Sequence, residues 1–263
     1  MTDKLAELFD AFRSMHFAAL GDSQNENVLL ETTIEQLAYN QNALPISVNM
    51  GMGEYLFGRN LLSSFDHLSG RALSHEQFKK LIHKDDMAHF EEAILVGMQK
   101  IGPLLSEKQH QLALAFECRM RDSRNEYCRM LFRYEIFTCA TVDERWVKLL
   151  LFPLRGWNQL AMPNSLYVID TKKKELCYTD KRGSHTRHQL DILRRRIAGQ
   201  NDVEIGGALC LSPVTIKTHH KNIYAKLGID SKVRIVLYLQ YLGLLRGTDL
   251  VKLEERGSCC FLP

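Results

Sequence analysis

The chain has 263 residues, 45% hydrophobic and 25% charged, with 34 Lys and Arg against 31 Asp and Glu for a net charge of +3. This is ordinary globular composition, long enough for two domains, and with no run of 18 apolar residues it predicts no membrane span. The charge is uneven: Lys181 to Arg246 holds 12 Lys and Arg against 4 Asp and Glu, whereas the remainder holds 22 against 27. A cationic module beside an acidic one fits a binder of a polyanion with a separate control domain.

The start, Met1-Thr2-Asp3-Lys4-Leu5-Ala6-Glu7, lacks the positive and apolar regions of a signal peptide, so the expected location is the cytoplasm. Leu5, Leu8, Phe9, Phe12 and Met15 stand at helical spacing, as do Leu30, Ile34, Leu37 and Ala38 within Asn27–Tyr39. These helices either pack on their own domain or, for the first, join a dimer seam. Short strands are expected at 44–48 and 54–57 around Gly51-Met52-Gly53. Ser74 with Gln77 reads as a capping box, and Asp85-Asp86 as a helix start favoured by negative charge. That helix runs to about Lys100 with Met87, Phe90, Ile94 and Met98 inward. Strands at 112–120 and 127–137 flank a polar turn at 121–126, and a nearly all-apolar strand covers 146–154.

The run Leu81-Ile82-His83-Lys84-Asp85-Asp86, followed by Phe116 to Asp122 and by Arg129-Met130-Leu131, resembles a PAS domain, with Lys84 where that family has Pro. The resemblance covers roughly 44–157 and implies an α+β sensor or dimerisation module (an antiparallel sheet with helices), sometimes binding a small molecule. The connector, 158–182, contains a possible strand pair, Leu166–Ile169 and Glu175–Tyr178, around Lys172-Lys173-Lys174.

Beyond it, Leu190, Leu193 and Ile197 form one helical stripe. Val203, Ile205 and Leu209 mark a short helix, which Leu211-Ser212-Pro213 breaks. Ser212 is a good N-cap and Pro213 suits the first helical position. The following helix, 213–227, has Ile216, Ile223 and Leu227 on one side and Lys217, Thr218, His220 and Lys221 on the other. Two short helices across a tight turn, the second basic outside, read as a DNA-binding helix-turn-helix. A last helix, 231–242, is apolar almost all round, which leaves one face for a partner.

The residues Thr186, Asp191-Ile192-Leu193, Gly199, Glu204-Ile205, Leu209, Ser212, Thr215-Ile216-Lys217, His219, Asn222-Ile223 and Lys226-Leu227-Gly228 resemble, without a gap, the LuxR-type helix-turn-helix of bacterial transcription regulators. The resemblance implies an all-α, four-helix domain at 183–246, between the connector and a tail at 247–263. It places Lys217, Thr218 and Lys221 at base-reading positions. Phosphate contacts are expected from Thr215, His220, Asn222 and Lys226, with local capping as the other reading of Lys226; His219 is expected to pack inward. The resemblance further implies a homodimer through the last helix, with Ile235, Tyr238, Leu239 and Leu242 at the seam. Departures are His185 and Arg187 for Leu and Pro, Gly206 for a helical Ala, and Arg194-Arg195-Arg196 at a turn that is often apolar. The Arg run is either a solvated face or an extra phosphate patch.

His83, Asp85, Asp86 and His89 have metal-ligand residue types but read as capping and local packing, so no metal is expected. Cys118 and Cys128 could face each other across the hairpin; in a reducing cytoplasm free thiols are expected. No phosphate-cradling loop or nucleophile elbow occurs, so no enzyme and no cofactor are expected. The expected function is one-component transcription regulation, with duplex DNA as partner. The alternative is a ligand sensor or interaction protein whose helix-turn-helix makes protein contacts, as Gly206 and the Arg run would favour.

Overall fold

A computed structural model describes residues 43–49, 52–58, 63–105, 112–136, 146–154, 166–179, 187–227 and 232–245. The helices expected before residue 40 and the tail from 247 lie outside these.

Eight strands form one sheet: β1 (Leu44–Asn49), β2 (Glu54–Phe57), β3 (Ala72–Ser74), β4 (Leu112–Arg121), β5 (Tyr127–Ile136), β6 (Trp146–Pro153), β7 (Leu166–Asp170) and β8 (Glu175–Thr179). Their order is β3-β2-β1-β6-β5-β4-β7-β8, and every neighbouring pair is antiparallel. The strand pair within the connector thus extends the same sheet, with β7 alongside β4. The β4–β5 turn closes because the Asp122 carboxylate accepts the Arg124 and Glu126 backbone N–H groups at 2.9 and 3.0 Å, while Asn125 takes a left-handed φ of 65°, which Asn tolerates.

Two helices cover one face. α1 (His75–Lys79) opens with the expected capping box, Ser74 Oγ accepting from Gln77 N and Gln77 Oε1 from Ser74 N. α2 (Met87–Leu105) follows a 3-10 turn at Lys84–Asp86. Asp86 does more than start this helix: its carboxylate reaches β4, where it accepts the Arg119 backbone N–H at 2.7 Å and pairs with the Arg119 guanidinium. His83 Nδ1 accepts the Asp85 N–H, and His89 lies edge-on to Phe116. Among the described residues no group of three or more His, Cys, Asp or Glu could hold a metal ion.

Strand alternation sorts the side chains. Leu114, Phe116, Cys118, Met130, Phe132, Tyr134, Leu149 and Leu151 face α1 and α2, where they pack with Tyr55, Phe78 and Phe90. Phe116 and Phe132 stack at 5.4 Å between ring centroids. Cys118 pairs in register with Met130, and Cys128 with Met120, so the two thiols are not opposite one another, and neither forms a disulfide. On the other face Ala115, Leu131, Leu150, Phe152, Tyr167 and Ile169 join a second core with the C-terminal helices. The nearly all-apolar run of β6, broken by Lys148, which pairs with Glu135, follows from this, since a strand covered on both faces has no solvent side.

The C-terminal helices are α3 (Arg187–Ile197), α4 (Asp202–Leu209), α5 (Pro213–Leu227) and α6 (Lys232–Tyr241). α6 ends at Gly243, whose φ of 75° suits Gly there. Among the described residues no helix is long and apolar enough to cross a membrane.

Candidate nucleic-acid interface

α4 begins at the cap Asn201, whose side chain accepts the Val203 and Glu204 N–H groups while Glu204 accepts that of Asn201. It ends at Cys210 in the left-handed region, φ 55°. The chain turns through Leu211 and Ser212 into α5. Ser212 Oγ accepts the Thr215 N–H at 3.1 Å and bonds the Thr215 hydroxyl at 2.8 Å, so the expected N-cap is present.

Gly206 fits this turn for a steric reason. A Cβ there would stand 2.5 Å from the Leu211 carbonyl oxygen, which is backbone and cannot swing aside. The same loop is tied back by the Leu211 N–H bonded to the Gly206 carbonyl at 2.9 Å. Neighbouring Gly207 faces open space. Gly206→Ala is therefore expected to destabilise by about 1–3 kcal/mol through overpacking, despite the better helix propensity of Ala. Gly207→Ala is expected to stabilise by up to about 1 kcal/mol. Thermal melts of the two variants check the opposite signs.

Ile216 and Ile223 are fully buried and hold α5 against the second core. Lys217, Thr218 and Lys221 are exposed together on the opposite side, and among the described residues neither lysine is ion-paired. Asn222 is also exposed. Thr215 is half-buried in the cap, and the side chain of Lys226 lies outside the described set. His220 departs from expectation: it is turned toward α4, its Nδ1 3.4 Å from Asp202 Oδ1, where Arg196 also converges. Burial, and then the Arg196 guanidinium, hold its pKa below the ordinary histidine value.

The Arg run is neither a plain solvated face nor an open patch. Arg194 donates to the carbonyls of Lys174 and Leu244, which ties α3 to the β7–β8 turn and to the residues after α6. Arg195 bonds Gln200, and Arg196 pairs with Asp202.

The four residues expected at a dimer seam, Ile235, Tyr238, Leu239 and Leu242, are instead inside the chain's own second core, none more than 1% exposed. The apolar face that looked spare in sequence is covered by the sheet. The Tyr238 hydroxyl donates to Glu117 Oε1 at 2.8 Å, and Glu117 pairs with Arg129, whose Nε donates to Oε2 at 2.6 Å. Arg133 donates to the last carbonyls of α6, at Gln240 and Tyr241, as a cation at a helix C-terminus should. Sequence reasoning missed Glu117, Arg129 and Arg133. Glu117 and Arg129 entered only as parts of a family motif, and the further signal was charge at alternate positions along β4 and β5.

Residues 184–239 match the GerE family, described as bacterial regulatory proteins, luxR family. Over 54 residues, 20% of the chain, the sequence is 39% identical to a putative HTH-type transcriptional regulator, Rv0890c, of Mycobacterium tuberculosis. Over 57 residues, 22% of the chain, it is 37% identical to the Fimbriae Z protein of Escherichia coli K12. The match spans 6% and 27% of these two relatives' lengths. Among solved structures, a phage VqmA–DPO complex is 12% identical, with 87% of this chain and 96% of that one covered, at a TM-score of 0.30. The PAS-B domain of Drosophila melanogaster Cycle is 15% identical, with 42% and 99% covered, at 0.29. Likeness at this level carries no functional weight. The family match and the exposed basic face of α5 agree on the same segment: the C-terminal part of this chain is a luxR-family helix-turn-helix domain of the bacterial regulatory type.

Proposed function

We propose that the chain is a sequence-specific, one-component transcription regulator of the cytoplasm, and not an enzyme. The observation that carries this reading is α5, with Ile216 and Ile223 buried and Lys217, Thr218 and Lys221 exposed together on the far side. The major groove admits one such helix, lysine suits the guanine acceptors, and the threonine methyl suits thymine. Thr215, at the helix start, and Asn222 and Lys226 along it are assigned to phosphates, which set register without reading sequence. The sheet domain, PAS-like by its sequence motifs, is assigned the control role: sensing a signal, with a small molecule as its candidate ligand, or holding two copies together. Gly206 and the Arg run, which in sequence favour a protein-contact role for the helix-turn-helix, serve the fold: Gly206 fits the turn, and the arginines are engaged within the chain.

Selection from a random duplex pool tests this reading. An enriched motif is expected, with two half-sites about one helical turn, roughly 34 Å, apart if two copies bind together. A pool that stays random would sink it. Pairing through α6 would require the sheet to release Ile235, Tyr238, Leu239 and Leu242. Light scattering of the free chain is accordingly expected to show no dimer built on α6, and Tyr238→Phe to leave the free chain's mass unchanged unless α6 is the seam.

A further inference from the structure

Val214 is the most exposed large hydrophobic residue among those described, at 74%. Its place on the helix explains why. It precedes Lys217, Thr218 and Lys221 by three, four and seven residues, the spacing that puts all four side chains on one face. It is the second residue of α5, and recognition helices bring their N-terminal residues to the base edges. Helix stability does not account for a valine there, because β-branched residues are mediocre helix formers. Nor does a hydrophobic staple, which uses the residue before the cap and the fourth helical position, here Leu211 and Ile216.

A hydrogen bond sharpens the chemistry. The Thr218 hydroxyl donates to the Val214 carbonyl at 3.1 Å, one turn back. That bond commits the hydroxyl to the helix and leaves the γ-methyl as the group Thr218 presents. The exposed face is thus an apolar strip, Val214 and Thr218, bordered by the ammonium groups of Lys217 and Lys221. Valine neither donates nor accepts, so it can distinguish bases only through apolar contact. The one apolar group on a base edge in the major groove is the thymine 5-methyl. We propose that Val214 is a further specificity-determining residue, reading a thymine 5-methyl at the step next to the one read by Thr218. This rests on the DNA-binding reading above and adds a base identity to it.

Replacing thymine by uracil deletes the 5-methyl and nothing else on the base edge. On the selected duplex each thymine is replaced in turn, and affinity is measured for the full-length wild type, Val214→Ala and Val214→Ser. The wild type should lose roughly three- to fivefold at one position of each half-site, about the worth of one buried methyl group. Both variants should bind the thymine duplex more weakly and show no penalty at that position, while keeping their penalties elsewhere. Thr218→Ser, which keeps the hydroxyl and drops the methyl, should erase the penalty at a neighbouring position instead. If both Val214 variants keep every uracil penalty of the wild type, the proposal is overturned while DNA recognition stands. If no motif is enriched at all, recognition itself fails. Circular dichroism melts matching the wild type show that the variants are folded, as expected for an exposed position.

Discussion

Arg129→Ala is expected to lower the stability of the chain by about 3–5 kcal/mol, the cost of leaving a buried charge unpaired. Arg129 and Glu117 are both fully buried between the sheet and α6. Burial pushes the Glu117 carboxyl above its ordinary value, against the Arg129 guanidinium and the Tyr238 hydroxyl, which favour the ionised form. Without Arg129 only the hydroxyl remains, so the carboxyl rises further. A carboxyl raised in the folded state binds its proton more tightly folded than unfolded. The variant should therefore regain stability as pH falls below the raised value and be weakest at neutral and alkaline pH. A fall in melting temperature of about 6–20 °C is expected at pH 7. The double variant Glu117→Leu, Arg129→Met should return close to the wild type, because apolar replacement of a whole buried pair is often neutral or better. An Arg129→Ala melt indistinguishable from the wild type at pH 7 would mean that the pair is not buried as described.

The second large effect is on binding and leaves the fold alone. Lys217→Ala, Lys221→Ala is expected to lose about 2–6 kcal/mol of discrimination against scrambled sequence, taking each base-edge contact at about 1–3 kcal/mol. Both side chains are exposed and, among the described residues, unpaired, so stability should change by less than about 0.5 kcal/mol. Comparing anisotropy titrations with melts separates the two. An equal loss on all sequences would reassign the lysines to phosphates.

Much of this was written in local signals. The Ser74–Gln77 box, the hairpin around Asp122, the stripe of Leu190, Leu193 and Ile197, and the Ser212-Pro213 restart are properties of a few neighbouring residues, and they predict the elements found. What was illegible depends on which surfaces meet. Glu117, Arg129 and Arg133 alternate with apolar residues, as a solvent face does, and only the arrival of α6 buries them. The same contact covers Ile235, Tyr238, Leu239 and Leu242, whose apolarity in sequence suits a partner chain as well as the chain's own sheet. Gly206 looked like a weak helix residue because the Leu211 carbonyl that needs its missing side chain lies across a turn. The turn of His220 toward Asp202 was illegible too, because the two residues stand 18 apart in sequence and meet only across the helix pair.

If α5 reads base sequence, the chain must discriminate between duplexes of equal length and charge. The most direct test titrates the full chain against a selected duplex and a scrambled one of equal length, over a salt series. The selected duplex is expected to bind at least about a thousandfold more tightly at physiological salt, with both affinities falling as salt rises. Equal affinity for the two duplexes at every salt concentration would contradict it, leaving the basic face of α5 as a charge without a code.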